Sequence, residues 1–130
     1  MKRIFLLVLL ITLCLIAAGC RRSGTTADEQ NIEMTMEVEP ESPSVGDAEL
    51  VITITDREGS PVSGATLDIR GDMSHAGMAP VLAEDISGEN GVYRVPFEWT
   101  MAGDWIVTVT ATLPDGQLVE ESFELAVSSD

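Results

Sequence analysis

The sequence predicts an all-β fold: a two-sheet sandwich of about seven strands, placed after an N-terminal signal peptide. Three observations lead there. From Ile32 onward the apolar residues alternate with polar ones at period two. Turn-forming clusters of Gly, Pro, Asp and Asn interrupt that alternation every 8 to 12 residues or so, the rhythm of an immunoglobulin-like sandwich. After Ser23 no stretch sustains a 3.6-residue apolar period, so little or no helix is expected.

The chain opens with Lys2 and Arg3, followed by an apolar run of 15 residues from Ile4 to Ala18 and the pair Gly19-Cys20. A charged start, a short apolar segment and a small-residue junction are the parts of a secretory signal. The run falls short of the roughly 20 residues that a helix needs to cross a bilayer. Ala17-Ala18-Gly19-Cys20 resembles the lipobox of bacterial lipoproteins, with Ala17 where that motif usually has Leu. That resemblance implies cleavage before Cys20 and acylation of its thiol. The expected organisation is therefore a signal peptide over 1–19, a lipidated Cys20 with a polar tether over 20–31, and a sandwich domain over 32–130. Cys14 leaves with the signal and Cys20 is capped by lipid, so no disulfide is expected in the domain.

The strands follow in order. Met34, Met36 and Val38 alternate with Thr and Glu; Leu50, Ile52 and Ile54 alternate with Val51, Thr53 and Thr55. Pro40, Pro43, Gly46 and Asp47 punctuate the connection between them. Asp56 to Pro61 reverses the chain into a shorter strand, Ala65 to Arg70, with Leu67 and Ile69 facing in. A weaker strand is expected from Val81 to Ile86, then Val92 to Trp99, Trp105 to Leu113 and Gln117 to Val127. Thr100 to Asp104 and Pro114-Asp115-Gly116 read as tight connections. Ile106, Val107 and Val109, with Phe97 and Trp105, are expected in the core.

Charge narrows the functional classes. The chain holds 22 acidic and seven basic side chains, a net charge of -15. Without the first 19 residues, which contain Lys2 and Arg3 but no acid, five Arg face the same 22 acids and the net charge becomes -17. No Lys follows position 2. Phosphate backbones are bound through Lys and Arg clusters that release counterions, so nucleic acid is excluded as a direct partner.

One segment concentrates soft donors. Gly71-Asp72-Met73-Ser74-His75-Ala76-Gly77-Met78 contains the only His of the chain and two of its six Met. In extended backbone Met73 and His75 would project to the same side, and Gly77 would let the chain turn Met78 back toward them. Two thioethers and an imidazole suit Cu(I), whereas zinc or calcium would call for more imidazoles, thiolates or carboxylates. The competing interpretation is that Met73 and Met78 simply plug the open end of the sandwich. The hairpin Trp99-Thr100-Met101-Ala102-Gly103-Asp104-Trp105 adds Met101 as a candidate fourth ligand, and Trp99 as a ring that would lie beside the ion by cation-π contact. Against this, Trp105 reads as core and Met101 as its cap.

The order of Asp72, Met73, His75, Gly77, Met78 and Pro80, then Gly91, Tyr93, Val95, Phe97, Met101, Gly103 and Trp105, resembles the YtkA-like family of small bacterial extracytoplasmic domains, related to FixH-like proteins. The similarity runs from about Ser42 to Val127. It implies copper handling, with a copper-dependent respiratory oxidase or its assembly factors as partner. Enzymatic activity is not expected: the domain has no Cys nucleophile, and the lone His75 and adjacent Ser74 would point apart in extended backbone. The expected protein is thus a lipid-anchored, extracytoplasmic Cu(I) carrier attached to the cell membrane. A metal-free immunoglobulin-like accessory module is the alternative.

Overall fold

The computed structural model describes residues 31–129. Seven strands occupy them: β1 (Ile32–Glu39), β2 (Gly46–Asp56), β3 (Thr66–Met73), β4 (Val81–Ser87), β5 (Val92–Trp99), β6 (Gly103–Thr112) and β7 (Leu118–Val127). They form two antiparallel sheets, in the order β1-β2-β5 and β4-β3-β6-β7. This is the expected immunoglobulin-like sandwich.

The period-two pattern decides which face each strand buries. β5 alternates strictly, with Tyr93, Val95, Phe97 and Trp99 inward and Val92, Arg94, Pro96 and Glu98 outward. Leu50, Ile52 and Ile54 of β2 meet Leu67 and Ile69 of β3 and Val107, Val109 and Ala111 of β6 in one core. Trp99, Trp105 and Tyr93 are its largest fully buried side chains. Each aromatic of this size buries about 200 Å² and contributes on the order of 5 kcal/mol of gross transfer free energy before ordering costs. Ile106 departs from its expected place: next to inward Val107, it points outward and is 37% exposed. Adjacent residues of a strand face opposite sides, so only one of the two can be core.

Two polar devices explain how acidic, Tyr-bearing strands assemble. Glu39 and Glu49 lie directly opposite each other on β1 and β2, a destabilising pairing of like charges. Arg94 of β5 bridges both, hydrogen-bonded to Glu49 and 3.6 Å from Glu39, and these contacts raise its pKa, the Glu49 hydrogen bond most. At the opposite end from the Met-rich loop, the buried Tyr93 hydroxyl accepts from Ala65 N–H at 3.2 Å and donates to Val62 C=O at 3.3 Å. That pair of bonds ties β5 to the crossover between sheets.

β3 is longer than the sequence suggested, running past Arg70 to Met73. The extension depends on Gly71. A Cβ there would come within 2.6 Å of Phe97 Cζ, so a side chain at this point would force the aromatic cluster beneath the strand to shift. The longer β3 delivers Met73 to the end of the sandwich.

Candidate metal centre

Antiparallel pairing fixes which loops share an end. Met73, the last residue of β3, pairs with Trp105 near the start of β6, and the next backbone group continues the ladder through Ser74 N–H to Asp104 C=O at 3.0 Å. The β3–β4 loop and the β5–β6 turn therefore lie at one end. The start of β2 joins them, because Gly46 pairs with Trp99. Thus Met73, His75, Met78 and Met101, separated by up to 28 positions in sequence, belong to a single rim.

Met73 is half-buried and packs on the edge of the core. Its Cε lies 3.0 Å from where a Cβ on Gly103 would stand, so its thioether end lies over the backbone that follows Met101. His75 is exposed, Met78 is 40% exposed and Met101 46% exposed. The chain leaves extended geometry directly after Met73: Ser74 and His75 form a bend, and Ala76-Gly77 a turn with Gly77 at φ +87°. The alternation rule consequently stops at Met73, and the position of His75 is set by the bend. Gly77 supplies the turn, as its conformational freedom suggested.

The β5–β6 turn is held from below. The Trp105 indole N–H donates to the Met101 carbonyl at 3.0 Å, so Met101 offers its backbone to the core while its side chain stays in solvent. Trp99 is placed beneath the rim. Its ring is fully buried, 4.8 Å from Phe97 and 5.3 Å from Trp105 in edge-to-face contacts, and its Nε1 has no hydrogen-bond partner among the described residues. Asp72 is engaged by Arg70 in a two-bond ion pair of 2.7 and 2.9 Å, which raises the Arg70 pKa, chiefly through the hydrogen bond.

Among the described residues no three His, Cys, Asp or Glu side chains are grouped so as to hold a metal ion. A metal at this rim would depend on the thioethers of Met73, Met78 and Met101 with the His75 imidazole, a donor set matched to soft ions. Val45 adds an exposed apolar side chain at the same end, 45% accessible. The sequence carried no signal for it, since a Val beside Gly46 reads as the start of a strand. An open groove of about 410 Å³ runs from Ser74 and Asp104 along Ile106 and Glu124 on the outer face. Cys20, the expected lipidation residue, lies outside the described residues.

The model of the YtkA-like family matches residues 26–110. The chain belongs to the YtkA-like family. The matched span contains all four rim residues and both Trp of this YtkA-like chain. Among solved structures, the soluble domain of PmoD from Methylocystis sp. ATCC 49242 (Rockwell) is similar in fold, with a TM-score of 0.53 and 15% identity over 78% of this chain and 99% of that one. CopC from Methylosinus trichosporium OB3b aligns with a TM-score of 0.49 and 15% identity, over 75% of this chain and 95% of that one. No curated protein matches the YtkA-like chain.

Proposed function

We propose that this YtkA-like protein is a membrane-anchored extracytoplasmic Cu(I) carrier that serves a respiratory copper enzyme. The observation that carries the reading is the gathering of Met73, His75, Met78 and Met101 at one end of the sandwich, on loops fixed by the Met73–Trp105 pairing. Thioethers neither titrate at physiological pH nor form disulfides, so they remain competent ligands outside the cytoplasm. Three of the four donors reach solvent, which suits a cargo that must be received and released. The association of YtkA-like proteins with copper handling supports the same assignment. The role is that of a carrier, with the lipid on Cys20 keeping it beside its membrane partner.

Titration of the protein with Ag(I) and with Cu(I) under reducing conditions, in competition with Zn(II), tests the reading. One soft ion is expected per chain, held in preference to zinc, and X-ray absorption of the Cu(I) form should show sulfur at thioether distance. A copper shell without sulfur would overturn the site. The alternative of a metal-free interaction module has its own support in Met73 packing over Gly103 and in the Met101 carbonyl accepting from Trp105. That alternative predicts no uptake of Ag(I) at equimolar concentration.

A further inference from the structure

The described residues include no Cys, so methionine is their oxidisable sulfur. The five methionines among them are sorted by depth. Met34 faces the core at 8% exposure, Met36 and Met73 are half-buried, and Met78 and Met101 are the two that stand in solvent. Both exposed methionines sit on loops of one end of the sandwich, Met78 on the β3–β4 loop that also carries His75 and Met101 on the β5–β6 turn.

We propose that Met78 and Met101 form a peroxide-sensitive pair whose oxidation switches off soft-metal binding at this end of the domain. The switch rests on the Cu(I) reading above; the selective oxidation does not. A thioether sulfur attacks one oxygen of hydrogen peroxide, an S–O bond forms and the O–O bond breaks. The departing hydroxide takes the proton of the transferred oxygen and leaves as water. Sulfur gives up two electrons and the peroxide gains them. The product, methionine sulfoxide, presents a polar S=O group in place of a soft lone pair and is a poor ligand for Cu(I) or Ag(I).

Depth makes the modification a switch and spares the fold. A sulfoxide on Met78 or Met101 projects into water and displaces no core packing. On Met34 it would bury a polar oxygen in the sandwich and cost several times more. Methionine sulfoxide reductases return the thioether by a two-electron reduction, so the state is reversible. A soft ion that does not itself react with peroxide, such as Ag(I), occupies the same lone pairs, so the Ag(I)-loaded form resists the oxidant that disables the empty one.

The test uses the full chain, freed of metal by a chelator and exposed to hydrogen peroxide, with Ag(I) as the probe so that no copper-driven radical chemistry intervenes. Peptide mass spectrometry should find Met78 and Met101 oxidised about 10-fold faster than Met34, following their exposure. The circular dichroism spectrum should be unchanged, Ag(I) affinity should fall about 10-fold or more with the loss of soft donors, and reductase treatment should restore it. Ag(I) added before the peroxide should slow oxidation of both residues. Equal oxidation rates at Met34 and the exposed pair would overturn the proposal, as would unchanged Ag(I) affinity after both sulfurs are oxidised. An untreated chain that takes up no Ag(I) overturns the copper reading and the switch with it, whereas oxidation-insensitive affinity overturns the switch alone.

Discussion

Trp99 and Trp105 pack edge to face at 5.3 Å, yet among the described residues only Trp105 finds a partner for its indole N–H, the Met101 carbonyl at 3.0 Å. The two rings remove similar apolar area from water, so the difference between them lies in the polar edge. A buried donor without a partner costs about 1–3 kcal/mol of desolvation, while a satisfied one adds about 1 kcal/mol net. Trp105→Phe should therefore destabilise the domain by about 1–3 kcal/mol more than Trp99→Phe, since it removes a made bond and the latter removes an unmade one. Chemical denaturation of the two variants measures this. Equal losses would mean that the Met101 contact is energetically silent.

Gly71 provides a second check on how the rim is delivered. A Cβ at this position would stand 2.6 Å from Phe97 Cζ, on an aromatic ring already wedged against Trp99, so relief requires moving the cluster. Gly71→Ala should cost about 1–3 kcal/mol by overpacking, despite the usual gain from replacing glycine in a strand. Thermal unfolding would show the loss. A variant as stable as the parent would indicate that Phe97 shifts freely.

Much of this architecture was legible in the residues themselves. All seven strands lie close to their expected places because each buries one face, and a half-buried strand writes its period directly into the sequence. The exceptions involve glycine: Gly46-Asp47 and Gly103-Asp104 read as connections yet open β2 and β6, and the link from Trp99 to Trp105 crosses between sheets where a hairpin was expected. For Gly71, no alternation rule says that a glycine after Arg70 continues a strand, since the reason lies across the sheet interface in Phe97. The metal-rim residues were legible by type, but their meeting was not. Whether the turn at Met101 shares an end with His75 depends on the partner of β3 being β6, a long-range pairing that no local pattern encodes. His75 shows the limit most plainly, because its orientation follows from a bend that begins one residue after the last ladder position.

Anchoring is expected to depend on Cys20 alone. Cys20→Ala removes the thiol that the lipobox-like junction presents, and Cys14 within the apolar run offers no equivalent junction. Metabolic labelling with a palmitate analogue should mark the parent and leave the variant unlabelled and uncleaved. Label retained in the variant would rule out Cys20 as the acylated residue.

The rim itself is tested by separating sulfur from volume. Met→Leu keeps apolar bulk while deleting the soft donor, and such near-isosteric swaps usually cost less than about 1.5 kcal/mol even in cores. At exposed Met78 and Met101 the stability change should stay within about 0.5 kcal/mol. Each change should nevertheless weaken Ag(I) binding about 10-fold or more if the sulfur is a ligand, equivalent to roughly 1.4 kcal/mol per donor lost. Met73→Leu separates the competing interpretations most sharply, because that residue is both packed over Gly103 and placed at the rim. A ligand role predicts lost metal with nearly unchanged stability, whereas a plug role predicts retained metal. His75→Ala should likewise weaken Ag(I) binding about 10-fold or more if the imidazole is a ligand, with the stability change at this exposed position within about 0.5 kcal/mol. Isothermal titration with Ag(I) checks it, and a variant that binds as tightly as the parent would remove His75 from the ligand set.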